Sequence, residues 1–281
     1  MRAIEQIASN LELGDQGIWT ARDQRDVSYP EAGNDVCFAV EDTSFWFRHR
    51  NAVLTELVNR TSRRQTFFDI GGGNGCVSKA LQLSGLEVVL VEPGPTGALN
   101  ARHRGVQTVV QSTLEDAGFA PQSLPSAGLF DVLEHIDNDA GFLRLIHSYL
   151  QPEGTLYVTV PAYNFLWSND DVHAGHFRRY TTSTLSRLLT ECGFTIEYSS
   201  YLFSLLVPPL FCLRSVPSWI GLRKMVSPST TKKEHTGGSG LVSSVVKRIL
   251  SAELKRITKG KRIPFGTSCI AVAKKQGITM R

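Results

Sequence analysis

The chain has 281 residues, of which 42% are hydrophobic and 20% are charged, and its formal net charge is +4. This composition is ordinary for a folded protein with a substantial core, and it excludes an intrinsically disordered chain. The longest apolar stretch, residues 202–213, contains two prolines and is too short to cross a bilayer, so no membrane span is expected.

The predicted elements alternate between strands and helices over most of the chain. Residues 1–35 are polar without clear periodicity, and residues 36–58 combine the cluster Phe45-Trp46-Phe47 with apolar residues at helical spacing. The predicted strands that follow are 66–70, 88–92, 106–111, 128–132, 155–160, 194–199 and 267–273. The predicted helices are 76–83, 96–103, 138–150 and 182–191. This alternation predicts an α/β fold, a doubly wound, seven-stranded Rossmann-like sheet with a helical insertion before its last strand.

The same pattern divides the chain into four regions. We expect an N-terminal helical cap (1–60), a ligand-binding core (61–200), a basic and apolar helical insertion (201–266) and the last strand of the core (267–281). From residue 214 onward there are 15 Lys/Arg and 2 Asp/Glu, whereas the residues before it hold 15 basic and 24 acidic side chains. Such a basic end either attracts an anionic surface or substrate through its field, or is a solvated surface that keeps the protein soluble.

The stretch from Phe67 to Gly75 has the sequence of a strand, a glycine turn and a helix start. Glycines at 71, 73 and 75 let the backbone approach a ligand without obstruction by a Cβ atom. In the dinucleotide-binding spacing Gly-x-Gly-x-x-Gly the third glycine would fall at position 76, which is Cys76. Glu92 ends the next strand, 17 residues after Gly75, where a carboxylate can bind a ribose diol. The residues therefore predict a nucleotide-like ligand, either NAD or S-adenosylmethionine.

Further motifs follow in order along the chain. Phe130-Asp131-Val132-Leu133-Glu134-His135-Ile136 ends the fourth predicted strand, and Leu150-Gln151-Pro152-Glu153-Gly154 turns the chain into the fifth. With the glycine turn and Glu92, these motifs resemble those of the class I S-adenosylmethionine-dependent methyltransferases, in the ubiquinone-biosynthesis-like branch. The segment Gly175-His176-Phe177-Arg178-Arg179-Tyr180 is similar to one in bacterial methyltransferases associated with surface polysaccharides or lipid-linked sugars. The resemblance covers residues 45–200 and the terminal strand.

This resemblance implies a cofactor, S-adenosyl-L-methionine, and a set of residues that bind it. The implied cofactor-binding residues are Asp69, Gly71, Gly73, Gly75, Glu92, Thr113, Phe130, Trp46 and Arg50. Thr113 stands where the family often places an acidic residue against the adenine, and Arg50 would pair with the methionine carboxylate while Trp46 closes over it. The alternative is that Phe45-Trp46-Phe47 is core and that the neighbouring arginines are solvated.

Candidate catalytic residues follow the fifth predicted strand, at the sheet edge where open α/β proteins bind substrates. They are His176, His173 and Asp171. A neutral imidazole here would take a hydroxyl proton as the methyl group transfers. The alternative is that these groups brace the loop. We expect no metal site, because a His-x-x-His pair with one aspartate binds a metal only if a third ligand converges on it geometrically.

The acceptor and the partners follow from weaker signals. We expect O-methylation of a sugar or a lipid-linked saccharide; the alternatives are a small phenolic or quinone-like acceptor, or a catalytically silent cofactor-binding regulatory subunit. Residues 241–264 form a basic amphipathic pattern, which either contacts an anionic membrane or packs on its own domain. No nucleic-acid partner is expected, because that segment lacks interleaved aromatic residues and the sheet half is acidic. The oligomeric state stays open.

The expected location is the cytoplasm, with peripheral contact at the inner membrane face as a further hypothesis. The first residues lack a continuous apolar region, so no secretory signal is expected. The five cysteines form no Cys-x-x-Cys pair and lie in apolar runs, which is typical of reduced thiols.

Overall fold

The computed structural model describes residues 4–23, 38, 40–61, 65–221 and 241–276. The described residues are organised by one nine-stranded sheet with the strand order β1-β2-β5-β4-β3-β6-β7-β9-β8. The strands are β1 (Leu11–Leu13), β2 (Trp19–Ala21), β3 (Phe67–Ile70), β4 (Val88–Val91), β5 (Thr108–Gln111), β6 (Leu124–Phe130), β7 (Leu150–Pro161), β8 (Phe194–Leu202) and β9 (Ser268–Lys275). The predicted α/β architecture is confirmed, and each of the seven predicted strands is present.

Helices lie between the strands, mostly where the apolar spacing predicts them. They are α1 (Phe45–Thr61), α2 (Cys76–Leu83), α3 (Pro95–His103), α4 (Leu114–Ala117), α5 (Asp139–Tyr149), α6 (Asn169–Ala174), α7 (Thr182–Glu191), α8 (Val207–Leu210), α9 (Val216–Trp219) and α10 (Leu241–Thr258). A π-helical turn, Phe211–Ser215, joins α8 to α9. Helix α7 begins after a capping box formed by Thr181 and Thr184, which satisfies backbone N–H groups of its first turn.

The centre of the sheet is parallel and contains its topological switch point. Strands β5, β4, β3, β6 and β7 are parallel neighbours, while β9 runs antiparallel between β7 and β8. From β3 the chain moves to β4 on one side and later returns to β6 on the other. The crevice between the carboxyl ends of β3 and β6 is where open α/β sheets bind ligands.

The sheet has two strands more than the seven expected. Strand β2 extends it by pairing parallel to β5, and β1 pairs antiparallel to β2. Each has three residues, which is too short to produce a visible alternation of apolar and polar side chains. Region 1–60, which was expected to be an N-terminal helical cap, thus also contains these two strands, and residues 24–37 lie outside the described part.

The insertion lies between β8 and β9, and its long helix α10 packs on the domain. Leu250 and Ile257 are buried, and His49 on α1 contacts Glu253 on α10 at 3.0 Å. The basic side chains of α10 are exposed: Lys247, Arg248, Lys255 and Arg256. The apolar stripe therefore serves the domain core, as the packing interpretation predicts, and the helix ends at Thr258 rather than 264. Among the described residues, no helix combines the length and hydropathy that a bilayer crossing requires.

Candidate functional site

The glycine turn after β3 leaves one backbone position open. Gly71, Gly73 and Gly75 have φ angles of +68°, +51° and +74°, a region that side-chain-bearing residues rarely adopt. A Cβ atom on Gly71 would lie 2.8 Å from Val132, and one on Gly75 would lie 2.8 Å from Ala101, so both glycines are required by packing. A Cβ atom on Gly73 would meet no described atom within 4 Å. Gly73 therefore presents bare backbone to open space.

That space belongs to a cavity of about 340 Å³ at the carboxyl ends of β3, β6 and β7. Its lining residues are Glu41, Trp46, Phe47, Arg50, Asp69, Gly71, Gly72, Gly73, Asn74, Cys76, Val77, Phe130, Asp131, Glu134, His135, Pro161, His176 and Ser268. Seven residues expected from the sequence are thus brought together here: Trp46, Arg50, Asp69, Gly71, Gly73, Phe130 and His176. We call this space the transfer cavity.

Glu92 lies beside the turn rather than in the cavity wall. Its carboxylate accepts hydrogen bonds from the backbone N–H groups of Gly73 and Gly94, each at 2.8 Å, and the residue is 3% exposed. Burial raises the pKa of Glu92, and the two N–H donors oppose that rise. A carboxylate has about four lone-pair sites, so these two bonds still leave acceptor capacity for a ribose diol. Glu92 therefore fixes the backbone of the turn and keeps unused acceptor capacity beside it.

Thr113 has a structural task that the sequence did not predict. Its hydroxyl accepts a hydrogen bond from the backbone N–H of Asp116 at 3.0 Å and so caps α4. Thr113 is absent from the lining of the transfer cavity. Its neighbour Ser112 is fully buried, and within the described ranges its hydroxyl oxygen has no hydrogen-bond partner. At this strand end Ser112, not Thr113, has an unused polar group.

Asp69 ties the end of β3 to helix α2. Its Oδ2 accepts a hydrogen bond from the Ser78 hydroxyl at 2.6 Å. Burial raises the pKa of Asp69 to about 6, against the hydrogen bond from Ser78 and the charge of Arg50, which both lower it. The contact keeps the glycine turn in register with the helix that follows.

Arg50 enters the cavity with the aromatic residues of the same helix. Its guanidinium carbon lies 4.8 Å from the ring centre of Trp46 and 5.1 Å from that of Phe47. Its Nη1 donates to Oδ2 of Asp131, and Oδ1 of Asp131 accepts from the Thr159 hydroxyl at 3.2 Å. Asp131 has φ +58°, a strained value for a residue with a side chain, as is common at functional sites. The sequence predicted Arg50 at the site but not this acidic partner.

Asp171, which does not line the cavity, accepts hydrogen bonds from both His176 and Arg179. Its Oδ1 accepts from His176 Nδ1 at 2.8 Å and from Arg179 Nε at 2.7 Å. Its Oδ2 accepts from Arg179 Nη2 at 3.0 Å and from the backbone N–H of Ser168 at 2.8 Å. Burial raises the pKa of Asp171, but the hydrogen bonds from His176 and Arg179 outweigh burial and lower it to about 2. The ionised carboxylate accepts only, so His176 carries its proton on Nδ1 and presents Nε2 to the cavity.

His173 lies apart from this arrangement. It is exposed on α6, and it does not line the transfer cavity. The structure therefore brings two of the three candidate catalytic residues together, Asp171 and His176, and leaves the third at the surface.

Two functional residues of the cavity, one carboxylate and one imidazole, were not predicted from the sequence. Glu134 and His135 follow β6, and the rings of His135 and His176 meet edge to face with centres 4.7 Å apart. Burial and the neighbouring charge of Asp131 raise the pKa of Glu134 well above its ordinary value. Burial and the charge of His176 lower the pKa of His135 to about 4. Both residues stand in the motif after the fourth predicted strand. Because residues 171–176 follow the next strand, the shared sheet edge was the signal that could have placed Glu134 and His135 at the same site.

A second cavity of about 480 Å³ adjoins the first, sharing Trp46, Phe47, Pro161 and Ser268 with it. Its other lining residues are Phe45, Arg179, Leu206, Pro209, Leu210, Leu213, Arg214 and Thr267. We call it the apolar cavity, since its wall is mostly hydrophobic side chains with two arginines. Arg214 pairs with Asp170 at 3.4 Å, which ties the segment 204–220 to helix α6.

Comparisons with known proteins agree with this geometry. A family model described as a methyltransferase domain matches residues 46–199. A probable S-adenosylmethionine-dependent methyltransferase of Mycobacterium tuberculosis is 26% identical over 154 residues, covering 54% of this chain and 56% of the relative. A ubiquinone biosynthesis O-methyltransferase of Xanthomonas campestris pv. campestris is 29% identical over 97 residues, covering 32% of this chain and 41% of the relative. The chain thus spans about half the length, or less, of the curated relatives it matches.

Among solved structures, the fold is similar to a chain in the complex between the Trm112 methyltransferase activator and a putative methyltransferase of Haloferax volcanii. The TM-score is 0.56 at 14% identity, and the match covers 89% of this chain and 96% of that chain. At this identity the similarity concerns the fold alone.

Proposed function

The chain belongs to the methyltransferase-domain family, and from that premise we propose that it transfers a methyl group from S-adenosylmethionine to an acceptor oxygen. The observation that carries the proposal is the transfer cavity, where the bare backbone of Gly73 and the Asp171-held imidazole of His176 face the same space. Open backbone is what a nucleoside cofactor requires on one side, and an imidazole with a free Nε2 is what a hydroxyl acceptor requires on the other.

The residues present are suited to the cofactor. A Cβ atom on Gly73 would fill the space at the turn, and Glu92 retains acceptor capacity for a ribose diol. Trp46 and Arg50 line the cavity beside Asp131, which supports their proposed role at the methionine part. When bound, S-adenosylmethionine supplies an electrophilic methyl group on a sulfonium. The chain supplies proximity and alignment for in-line displacement.

His176 is the proposed proton acceptor. Asp171 accepts the Nδ1–H hydrogen bond, fixes the orientation of the ring and stabilises the imidazolium that forms when Nε2 takes the hydroxyl proton. Arg179 donates to both oxygens of Asp171 and thereby prevents that carboxylate from turning away. Asp171 is a positioning residue, since it does not line the cavity.

We infer an acceptor with an apolar body and an anionic or polar head, as in a lipid-linked saccharide. The apolar cavity adjoins the transfer cavity and combines aliphatic side chains of the segment 204–220 with Arg179 and Arg214. Leu213, Trp219 and Ile220 of the same segment are exposed, which is a suitable surface for peripheral contact with a lipid layer. Helix α10 contributes its exposed basic residues and the exposed Val245 to such a contact, because Leu250 and Ile257 of its apolar stripe are buried.

A phenolic or quinone-like acceptor is the second candidate. It is favoured by the Xanthomonas relative, which is named a ubiquinone biosynthesis O-methyltransferase. Both acceptor classes share a hydroxyl group, so the acceptor body distinguishes them.

The test is incubation of the chain with isotopically labelled S-adenosylmethionine and fractionated cell-envelope lipids, polysaccharides and quinone precursors. Mass spectrometry should find the labelled methyl on a hydroxyl of the lipid-linked saccharide fraction, and His176→Ala should lower the rate of labelling by about 10²–10⁴. Label in the quinone fraction alone would select the second candidate. No label in any fraction, with the cofactor bound, would contradict a methyl transfer role.

A further inference from the structure

Three potential metal ligands converge in the transfer cavity. The carboxylate of Glu134 and the imidazoles of His135 and His176 place one ligand atom each within 4.8 Å of the others, and no other such trio occurs among the described residues. We call this group the Glu-His-His cluster. The sequence predicts no metal site on His173, His176 and Asp171. The Glu-His-His cluster shares only His176 with that set, and its other two members lie about 40 positions earlier in the chain.

The carboxylate of the cluster is unsatisfied. Glu134 is 1% exposed, lines the cavity, and within the described part of the chain its Oε2 has no hydrogen-bond partner. A buried carboxylate oxygen without a partner costs free energy, and a role as metal ligand would account for such a group. This observation is independent of the proximity of the two histidines.

One histidine of the cluster is oriented as metal-binding histidines are. His176 donates from Nδ1 to Asp171, so its remaining lone pair is on Nε2. Histidine ligands almost always donate their other ring N–H to a carboxylate or carbonyl, which fixes the tautomer and strengthens the ligand. Arg179 keeps Asp171 in place, and Arg50 is paired with Asp131, so both nearby cations have carboxylate partners.

From this geometry we propose that Glu134, His135 and His176 bind one divalent first-row transition-metal ion, with Zn²⁺ as the reference ion. Two imidazoles and one carboxylate suit such ions, whereas Mg²⁺ prefers oxygen ligands alone. Ligand atoms about 2.1 Å from a tetrahedral ion lie about 3.4 Å apart, so modest rotation of the half-buried imidazoles closes the cluster. Three protein ligands leave one position open toward the cavity, as in catalytic sites.

The ion's role in methyl transfer rests on the proposed function, whereas its binding does not. An acceptor hydroxyl at the open position would lose its proton more easily, because a bound cation favours the deprotonated oxygen. Binding of the ion would remove Nε2 of His176 from its proposed role as proton acceptor, so the hydroxyl proton would pass to solvent water instead. The acceptor oxygen then forms its bond to the methyl carbon as the carbon–sulfur bond breaks, and the sulfonium becomes a neutral thioether.

The experiment uses chelator-treated full-length protein and the metal alone, without cofactor or acceptor. Zn²⁺ is measured by equilibrium dialysis with elemental analysis, and Co²⁺ by its visible absorption. One ion per chain is expected, with the Co²⁺ spectrum of a site containing nitrogen ligands. His135→Ala and His176→Ala should each weaken metal binding more than 100-fold. Asp171→Asn should weaken it about 10–100-fold, because Asp171 contacts the ligand His176 and not the ion.

His173→Ala is the matched control, because it removes a nearby histidine of the same loop that lies outside the cluster. Its metal affinity should equal that of the unchanged chain. Binding of S-adenosylhomocysteine by each variant shows that the fold is intact.

Absence of stoichiometric metal, or equal affinity in the His135 and His176 variants and the unchanged chain, would overturn the site. The methyl transfer assay separates the two proposals. Transfer without any metal binding refutes the metal site and leaves the proposed function standing. Metal binding without transfer to any acceptor supports the site and refutes the proposed function.

Discussion

Replacement of Asp171 by asparagine tests the anchoring of His176 through the stability of the fold. Five hydrogen bonds from His176, Arg179 and Ser168 converge on the two carboxylate oxygens, which are nearly inaccessible to solvent. The pKa of Asp171 is about 2, against an ordinary value of 3.8. That difference corresponds to about 2 kcal/mol of unfolding free energy at neutral pH.

The sign follows from the lowered pKa in the folded state. The folded state favours the ionised carboxylate, so the contribution is complete above the unfolded-state pKa and is lost as the pH falls through the folded-state pKa. About half should be gone near pH 3, and nearly all below the folded value of about 2. Asparagine cannot ionise, and its amide NH₂ would face donors at one of the two oxygen positions.

The assay is urea unfolding followed by tryptophan fluorescence at pH 7, 5, 4 and 3. Asp171→Asn should lower the unfolding free energy by about 2 kcal/mol or more at pH 7, with the difference from the unchanged chain narrowing toward pH 3. Asp170→Asn is the control, since Asp170 pairs with Arg214 at 3.4 Å near the surface. Its effect should stay below about 1 kcal/mol. An Asp171→Asn difference that is absent at pH 7, or that does not narrow with acidification, would refute the reasoning.

Three further outcomes are expected. Glu92→Gln should weaken S-adenosylhomocysteine binding by about 1.5–3 kcal/mol in calorimetry, because a charged acceptor of two backbone N–H bonds beside the turn becomes neutral. Unchanged affinity would exclude Glu92 from cofactor binding. His176→Ala should lower turnover by about 10²–10⁴ without loss of cofactor binding, whereas His173→Ala should keep near-normal turnover, and equal effects would exclude the assigned roles. Glu253→Gln should lower the free energy of unfolding in urea by about 2 kcal/mol, because the buried carboxylate joins His49 to the start of the segment 204–220. The control Lys255→Gln, at an exposed position of the same helix, should change the free energy of unfolding little.

Most of the sheet could be predicted from the sequence because its strands are buried on both faces. Strands such as Val88–Val91 are apolar throughout, and glycine turns separate them from the helices. Helix α7 agrees with its predicted bounds because Thr181 caps its start and Gly193, with φ +91°, ends it. The end of α10 was placed too late, since Gly260 with φ +72° stops the helix before the proline at 264.

The site was predictable where a motif is local and unpredictable where it depends on long-range pairing. The glycine turn, Glu92 and His176 stand within short recognisable segments. The pairing of Arg50 with Asp131 joins residues 81 positions apart, so no local sequence pattern predicts it. The convergence of Glu134 and His176 likewise depends on how β6 and the loop after β7 meet at one sheet edge.

The most direct measurement of the central claim is calorimetric titration of S-adenosylhomocysteine into Gly73→Leu and Gly85→Leu. Both glycines have positive φ, at +51° and +95°, and a Cβ atom added to either would have no neighbour within 4 Å, so each variant adds backbone strain without a steric clash. Only Gly73 lines the transfer cavity. The unchanged chain and Gly85→Leu should bind one equivalent, and Gly73→Leu should bind none, because its side chain fills the space beside the turn. Equal binding by both variants, or binding of NAD without any heat from S-adenosylhomocysteine, would contradict a methyltransferase cofactor site at this turn.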